Sequence, residues 1–360
     1  MSSGPSRLIK DYLPGGASLG LTAATAVLSS IACTQPAPAS TGAHIVERSR
    51  LAMGSELRIT AWTADQTAAL SAFEAAFGDF ERLDALMSVW REGSDVQRLN
   101  AAAGKQAAPV SADVREVLRV ARQVSDWTGG KFDVTFGALS GLWKFDHDQD
   151  NRTPDPQEVR RHLPLIDYGA VDVDERAGTV FLRREGMRVH LGGIGKGYAV
   201  DRAVDTLRRH GLSDFMMQSG GDMYVMGRRG ERPWRVGIRD PRGPADRSYA
   251  TLDLSEGAIS TSGDYERFFM NEGRRYHHIL DPDLGEPARG CRSVTIVTGR
   301  AALADGLATG VFVLGPGPGM ALIERLPGVE GVIVTDTNQV LISSGLKDRL
   351  MMVGSPTDAP

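Results

Sequence analysis

The stretch HLGGIGKGYAVD, residues 190–201, places four glycines and one lysine at the start of a predicted helix. Such a loop is typical of phosphate binding, because its backbone N–H groups and the positive end of the helix dipole point at the anion. A Walker-type loop would need a glycine at His190 and a Ser or Thr at Gly197. A dinucleotide fingerprint would need Gly-x-Gly-x-x-Gly, whereas Gly193, Gly195 and Gly197 alternate. The loop therefore binds another kind of group, or none.

Length and composition predict a globular protein with a sizeable core. The chain has 360 residues, of which 41% are hydrophobic and 24% are charged. Its formal net charge of −4 offers no excess of Lys and Arg for a nucleic acid backbone, so we expect no nucleic acid partner. The two cysteines, Cys33 and Cys291, are too few for a disulfide framework or a thiolate zinc site.

The N-terminal residues have the pattern of an exported lipoprotein. The apolar run 19–32 follows a short basic start and has the length of a signal-peptide core rather than of a membrane span. Ile31 and Ala32 suit the positions before a lipid-modified cysteine, although Ser30 stands where Leu is usual. We expect a lipid anchor at Cys33, on the extracytoplasmic (periplasmic) side of the cytoplasmic membrane; a cleaved signal without lipid and an unprocessed tail are the alternatives. The predicted segments are a signal at 1–33, a Pro/Ala/Ser linker at 34–44, a folded domain at 45–350 and a tail at 351–360.

The periodicity of the apolar residues predicts an α+β fold. Residues 55–62 alternate as a half-buried strand does, and apolar residues three or four apart predict helices over 70–83 and 114–124. Ser111 is the expected N-cap of the second helix. Strands that cluster in hairpins between helices favour α+β over a doubly wound parallel sheet. The last third predicts a strand at 293–298, helices at 301–313 and 318–326, and strands at 331–335 and 339–342.

Two short segments carry candidate chemistry. Asp305 and Thr309 lie four residues apart on a predicted helix, so their oxygens share one face and can form part of a magnesium site. A surface pair without a metal is the alternative. His277 and His278 are adjacent in a predicted strand, so at most one of them can serve a given site. That one is either a general base, because imidazole titrates near neutrality, or an ordinary surface or core histidine.

Eight motifs follow one another across residues 48–345: AMGSELRI, MSVWREGSDVQRLN, GGKFDVTFGALSGLW, HLGGIGKGYAVD, SGGDMYVMG, TSGDYERFF, RYHHILDP and LADGLATGVFVLG. Together they resemble the ApbE family of FAD:protein FMN transferases, which are exported flavin-transfer enzymes. Any one motif is weak evidence, but eight in one order are specific. The resemblance implies an ApbE-like, T-fold-related fold of β-hairpins and helices, with 45–350 as one catalytic domain.

The resemblance also implies the site residues. His278 and Lys196 are the expected catalytic residues. The carbonyl of Gly193 is expected to complete a Mg²⁺ site with Asp305 and Thr309. The expected flavin-site residues are Met53, Trp90, Lys131, Phe132, Asp133, His190, Lys196 and His278. Trp90 stands where many relatives have Tyr, and His190 stands where the family usually has Asp.

The implied reaction is Mg²⁺-dependent transfer of FMN from FAD to a Thr or Ser hydroxyl of a target protein, with release of AMP. The implied acceptors carry Asp-x-x-Ser/Thr-Gly-Ala-Ser/Thr and are typically membrane electron-transport subunits. Residues 253–259 of this chain, DLSEGAI, approach that motif but have Glu256 at the accepting position, so we expect no self-modification. Two alternatives remain: a Mg²⁺-dependent FAD pyrophosphatase that forms FMN and AMP, and a non-enzymatic FAD-binding lipoprotein.

Overall fold

The computed structural model describes residues 42–145 and 148–359. The predicted signal segment, with Cys33, and residues 34–41 of the linker lie outside the described residues. In the described ranges, no helix combines the length and the hydropathy that crossing a membrane requires. The α-helices are α1 (Gln66–Met87), α2 (Asp95–Ala101), α3 (Ala112–Thr128), α4 (Pro156–His162), α5 (Gly195–Arg209), α6 (Ala301–Leu314) and α7 (Pro316–Arg325).

The strands are short and antiparallel to their neighbours. In chain order they are β1 (His44–Ala52), β2 (Ser55–Thr63), β3 (Ala108–Pro109), β4 (Val171–Asp174), β5 (Thr179–Leu182), β6 (Phe215–Ser219), β7 (Asp222–Met226), β8 (Trp234–Arg239), β9 (Ser248–Leu254), β10 (Glu256–Gly263), β11 (Phe268–Asn271), β12 (Arg274–His277), β13 (Leu280–Asp281), β14 (Glu286–Pro287), β15 (Cys291–Thr298), β16 (Glu330–Thr335), β17 (Val340–Ile342) and β18 (Leu350–Met352). The main sheet has eight strands in the order β1-β2-β6-β7-β10-β15-β16-β17, and smaller sheets join β18-β9-β8 and β3-β5-β4.

The central strands of the main sheet are buried on both faces. Successive side chains of a strand point to opposite faces, so neighbouring residues enter different cores. On β7, Tyr224 belongs to the larger core with the helices, whereas Val225 belongs to the core shared with β8 and β9. Ile296 and Val297 on β15 divide in the same way. Helices α1, α5 and α6 thus cover one face of the sheet, and the β18-β9-β8 sheet covers the other.

The alternating glycines of residues 190–201 bring this loop against α6. A Cβ on Gly197 would lie 2.3 Å from the carbonyl oxygen of Ala301 and 2.7 Å from the Cβ of Asp305. A Cβ on Gly193 would lie 3.3 Å from the hydroxyl oxygen of Thr309. Position 197 has no room for a side chain, so the close approach of α5 to α6 requires glycine there.

The predicted elements are confirmed, including the Ser111 cap, whose Oγ accepts a hydrogen bond from the backbone N–H of Val114. The C-terminal segment differs from the expected tail at 351–360. Met351 and Met352 extend the pairing of β18 with β9. Thr357 Oγ1 then donates a hydrogen bond of 2.7 Å to Oδ2 of Asp240. The segment packs on the domain because the fully buried Asp240 carboxylate needs hydrogen-bond donors, which Thr357 supplies.

Candidate active site

One cavity of about 550 Å³ brings together the residues that the sequence predicts for the site. A volume of this size is ordinary for a pocket that binds a small molecule or a cofactor. The cavity lies between the 190–201 loop, the start of α5, one face of α6 and the β1–β2 turn. The predicted residues among its walls are Met53, Trp90, Lys131, Phe132, Asp133, His190, Gly193, Lys196, His278, Asp305 and Thr309.

Asp305 and Thr309 form one end of the cavity. They lie one turn apart on α6, so both side chains point to the same side. The Asp305 carboxylate is almost fully buried, and its Oδ2 accepts a hydrogen bond of 3.0 Å from the backbone N–H of Gly197. Burial, followed by the nearby charge of Asp222, raises the pKa of Asp305 above its ordinary value. A cation beside this carboxylate would offset both effects.

The oxygen atoms at this end suit a hard divalent cation. Within residues 42–145 and 148–359, no group of three or more His, Cys, Asp or Glu side chains could hold a metal ion. The side-chain oxygens at this end include the Asp305 carboxylate and the hydroxyls of Thr309 and Ser262. The backbone of Gly193, the third predicted ligand, lies against Thr309. Magnesium prefers one or two carboxylates and completes its shell with other oxygens, including substrate phosphates. These residues therefore fit Mg²⁺.

Lys196 extends from the first turn of α5 and is held by a carboxylate. Its Nζ forms an ion pair with Asp222, the first residue of β7. The Asp222 side chain is only 2% exposed, and its Oδ1 also accepts a hydrogen bond of 2.6 Å from Ser260 Oγ. Burial disfavours the ammonium charge, but the carboxylates of Asp222 and Asp305 outweigh it and raise the pKa of Lys196. Lys196 is therefore a fixed cation in the cavity wall.

The two adjacent histidines have different environments. The His277 ring is buried beside Phe312, and its Nε2 lies 2.9 Å from the carbonyl oxygen of Ala288. His278 lines the cavity instead, with its Nδ1 3.2 Å from the carbonyl oxygen of Arg267. A carbonyl can only accept, so Nδ1 carries the proton and Nε2 keeps a free lone pair. Burial and the positive charge of Arg267 hold the pKa of His278 well below its ordinary value, so the ring is neutral near pH 7.

Three predicted flavin-site residues lie at the opening of the cavity. Met53 has a φ of 49° in the two-residue turn between β1 and β2, next to Gly54 with a φ of 73°. Trp90 is 55% exposed at the rim. His190 Nδ1 accepts a hydrogen bond of 3.1 Å from the backbone N–H of Gly192. The neutral ring therefore has its proton on Nε2, which is a donor where an aspartate would be an acceptor.

Lys131 and Asp133 already have partners inside the protein. Lys131 Nζ forms ion pairs of 2.8 Å with Asp281 and 2.9 Å with Asp283. The Asp133 carboxylate accepts hydrogen bonds from the backbone N–H and hydroxyl of Thr135 and from the N–H of Tyr168. Burial nevertheless raises the pKa of Asp133. These contacts hold the loop after α3 in place, and the Phe132 ring between them packs beside Gly193.

Sequence reasoning missed three residues that contact the predicted ones. Asp222 pairs with Lys196, Ser262 Oγ lies 3.1 Å from Thr309 Oγ1, and the carbonyl of Arg267 orients His278. Asp222 closes the motif SGGD and Ser262 lies in TSGD, both of which have the composition of turns. The available signal was a polar residue, Asp222, directly after the Gly-rich turn at residues 220–221 and at the start of a strand.

The sequence matches known proteins over most of its length. The ApbE family matches residues 53–333. The FAD:protein FMN transferase of Treponema pallidum (strain Nichols) is 32% identical over 324 residues, covering 85% of this chain and 89% of that protein. A protein of the same name from Klebsiella pneumoniae (strain 342) is 30% identical over 317 residues, covering 88% of this chain and 96% of that protein.

Solved structures have the same fold. The ApbE protein from Thermotoga maritima superposes with a TM-score of 0.79 at 33% identity, covering 85% of this chain and 99% of that one. The flavin transferase ApbE from Vibrio cholerae gives a TM-score of 0.76 at 28% identity, with the same coverage of 85% and 99%. The predicted ApbE-like α+β fold is thus confirmed, and the chain belongs to the ApbE family of flavin transferases.

Proposed function

We propose that this protein transfers FMN from FAD to a Thr or Ser hydroxyl of another protein, in a Mg²⁺-dependent reaction that releases AMP. The observation that carries the proposal is the meeting of three groups in one cavity: His278 with a free Nε2, the cation of Lys196, and the buried Asp305 carboxylate beside Thr309. A base, a fixed positive charge and a set of hard oxygens are what attack on a pyrophosphate requires.

The proposed reaction forms one P–O bond and breaks another. The acceptor hydroxyl oxygen attacks the phosphorus nearest the riboflavin, and the bond from that phosphorus to the oxygen of AMP breaks. His278 Nε2 takes the hydroxyl proton, which its neutral ring can accept because Nδ1–H donates to the Arg267 carbonyl. Lys196 lies where it can stabilise negative charge on the phosphate oxygens. The flavin ring undergoes no redox change during transfer.

Three oxygen donors would hold the metal: the Asp305 carboxylate, the Thr309 hydroxyl and the Gly193 carbonyl. When bound, Mg²⁺ neutralises the pyrophosphate and so favours the departure of AMP. The chain's own contribution is to orient these donors. Gly197 N–H fixes one oxygen of Asp305, and the close contact at Gly193 keeps the loop against Thr309.

A single incubation separates this proposal from its two alternatives. The protein is mixed with FAD, Mg²⁺ and an acceptor domain that carries the Asp-x-x-Thr-Gly-Ala-Thr motif, and the products are resolved on a denaturing gel. We expect flavin fluorescence on the acceptor band, and none when the motif Thr is replaced by Val. Free FMN and AMP without a labelled acceptor would indicate a pyrophosphatase, and unchanged FAD would indicate a carrier. Either result would refute the transfer proposal.

We also propose that the mature protein is anchored through Cys33 to the outer side of the cytoplasmic membrane. The support is the sequence pattern alone: an apolar run that ends in Ile31-Ala32-Cys33 and precedes a Pro/Ala/Ser linker. This location would suit the proposed acceptors, because electron-transport subunits lie in the same membrane. Labelling cells with a radioactive fatty acid tests the anchor. Wild type should be labelled and Cys33→Ala should not, whereas absence of label in both would refute it.

A further inference from the structure

Two buried carboxylates act on the ammonium group of Lys196. Its ion pair is with Asp222, while Asp305 acts on it as a second, more distant negative charge. Both carboxylates are almost fully buried. Lys196 and Asp305 line the cavity, and Asp222 lies behind them at the start of β7. Lys196 therefore lies in the field of both carboxylates and pairs with Asp222.

Asp222 is rigidly held. It lies in the middle of the main sheet, opposite Ser219 on β6 and Ser260 on β10. Ser260 Oγ donates a hydrogen bond of 2.6 Å to Oδ1, which leaves Oδ2 to pair with Lys196. Because the strand and the Ser260 hydrogen bond fix the Asp222 carboxylate, the carboxylate holds the Lys196 ammonium in one position. The Asp222–Lys196 pair carries no net charge.

Asp305 is held less completely. Its Oδ2 accepts the hydrogen bond from Gly197 N–H, and Gly197 directly follows Lys196 in the chain. Without the Asp222 charge, as in Asp222→Asn, the partly buried ammonium of Lys196 would keep Asp305 as its remaining carboxylate neighbour. Opposite charges attract more strongly in a partly buried site than in water, because the effective dielectric constant is lower. The ammonium would then compete with any cation for the Asp305 carboxylate.

We propose that Asp222 is a positioning residue that holds the Lys196 ammonium in an ion pair, and so keeps the Asp305 carboxylate available for a divalent cation. The inference rests on the proposed function for the assignment of the cation to Asp305. It goes beyond that function because Asp222 acts through Lys196 and has no contact of its own with substrate in the proposed reaction.

Metal binding to the whole protein, without FAD or acceptor, tests the proposal. Mn²⁺ replaces Mg²⁺ because it takes the same oxygen ligands and its free form gives an EPR signal. Asp222→Asn keeps the side-chain shape and should weaken Mn²⁺ binding at least about tenfold. Adding Lys196→Met restores the net charge of the wild-type pair and removes the competing ammonium. The double variant should therefore bind Mn²⁺ within about threefold of wild type.

In the double variant, Mn²⁺ binding and the rate of FMN transfer should respond differently. The double variant lacks the cation of Lys196, so its transfer should stay slow although its Mn²⁺ binding is restored. Asp240→Asn is the matched control, because Asp240 is also a fully buried carboxylate but is bonded to Thr357 in the C-terminal segment. That substitution should leave Mn²⁺ binding unchanged.

Two results would overturn the proposal: Mn²⁺ binding by Asp222→Asn equal to wild type, or a double variant that binds as weakly as Asp222→Asn. If Asp222→Asn does not fold, the double variant decides alone, since it buries no unpaired charge. Strong binding by it supports the proposal and weak binding refutes it. Wild type that binds Mn²⁺ but transfers no FMN would contradict the proposed function only, whereas wild type that binds no Mn²⁺ would overturn both.

Discussion

The backbone N–H of Gly197 donates a hydrogen bond of 3.0 Å to Oδ2 of Asp305, and this bond joins α5 to α6 at the end of the cavity that Asp305 and Thr309 form. Gly197 also has no room for a Cβ, which would lie 2.3 Å from the carbonyl oxygen of Ala301. Close packing against α6, which positions Asp305 and Thr309, therefore explains the glycines at positions 197 and 193. No Walker or dinucleotide arrangement is needed to account for them.

Gly197→Ala should destabilise the protein. The added methyl group meets backbone that cannot yield, which typically costs about 1–3 kcal/mol of unfolding free energy. Urea unfolding measures the change. The control is Gly78→Ala on α1, where a Cβ would meet nothing within 4 Å. This substitution should stabilise the protein by about 0.5–1 kcal/mol, because alanine favours the helix more than glycine does. A Gly197→Ala protein as stable as wild type would show that the close packing is not required.

Asp305 should matter far more for transfer than for FAD binding. Asp305→Ala should lower the transfer rate at least ~100-fold, or roughly 2.7 kcal/mol of barrier, because the charge that it helps to neutralise develops as AMP leaves. Thr309→Val keeps the shape, removes only a neutral oxygen and should cost less. FAD affinity and transfer rate are both measured across a Mg²⁺ titration. Near-normal transfer by Asp305→Ala at ordinary Mg²⁺ would place the metal elsewhere.

Protonation of His278 should lower kcat/KM for FAD at low pH. Its pKa is held below the ordinary value of about 6.5, so the ring stays neutral as pH falls through 6.5 and loses its lone pair only below that. The kcat/KM for FAD should thus remain level down to below about pH 6.5 and then fall. His278→Gln should lower kcat at least about 100-fold and remove this acid limb of the pH profile.

His277→Gln is the matched control for that experiment. His277 is buried against Phe312 and faces the Ala288 carbonyl, so its loss should reduce the free energy of unfolding while kcat stays within about threefold of wild type. Survival of the same acid limb in His278→Gln would contradict the assignment of His278 as the base.

Much of the fold follows from local pattern. The helix that contains Phe73, Phe77 and Phe80 is set by their spacing, because those rings form one buried face. Ser111 and Gly129 mark the two ends of α3 by capping chemistry, and Gly129 has the left-handed conformation that ends a helix. Such signals span a few residues and are legible in one sequence.

The contacts within the candidate site were less predictable. Lys196 and Asp222 are 26 residues apart and meet because β6 and β7 pair in the middle of the main sheet. Lys131 likewise meets Asp281 across 150 residues. Such pairs depend on strand order, which local periodicity does not determine. The family resemblance indicated which residues share the cavity. It did not indicate which of their side chains form ion pairs within the protein.

In the proposed reaction, the FMN part of FAD is transferred to a protein hydroxyl and AMP is released. The ratio of AMP to protein-bound FMN measures this transfer directly. In one reaction with FAD, Mg²⁺ and an acceptor protein in excess, AMP is quantified by chromatography and FMN bound to acceptor by mass spectrometry, at several times. We expect one AMP for each bound FMN throughout, and loss of both products together in His278→Gln. AMP that accumulates without bound FMN would contradict the proposed transfer, because water would then be the acceptor.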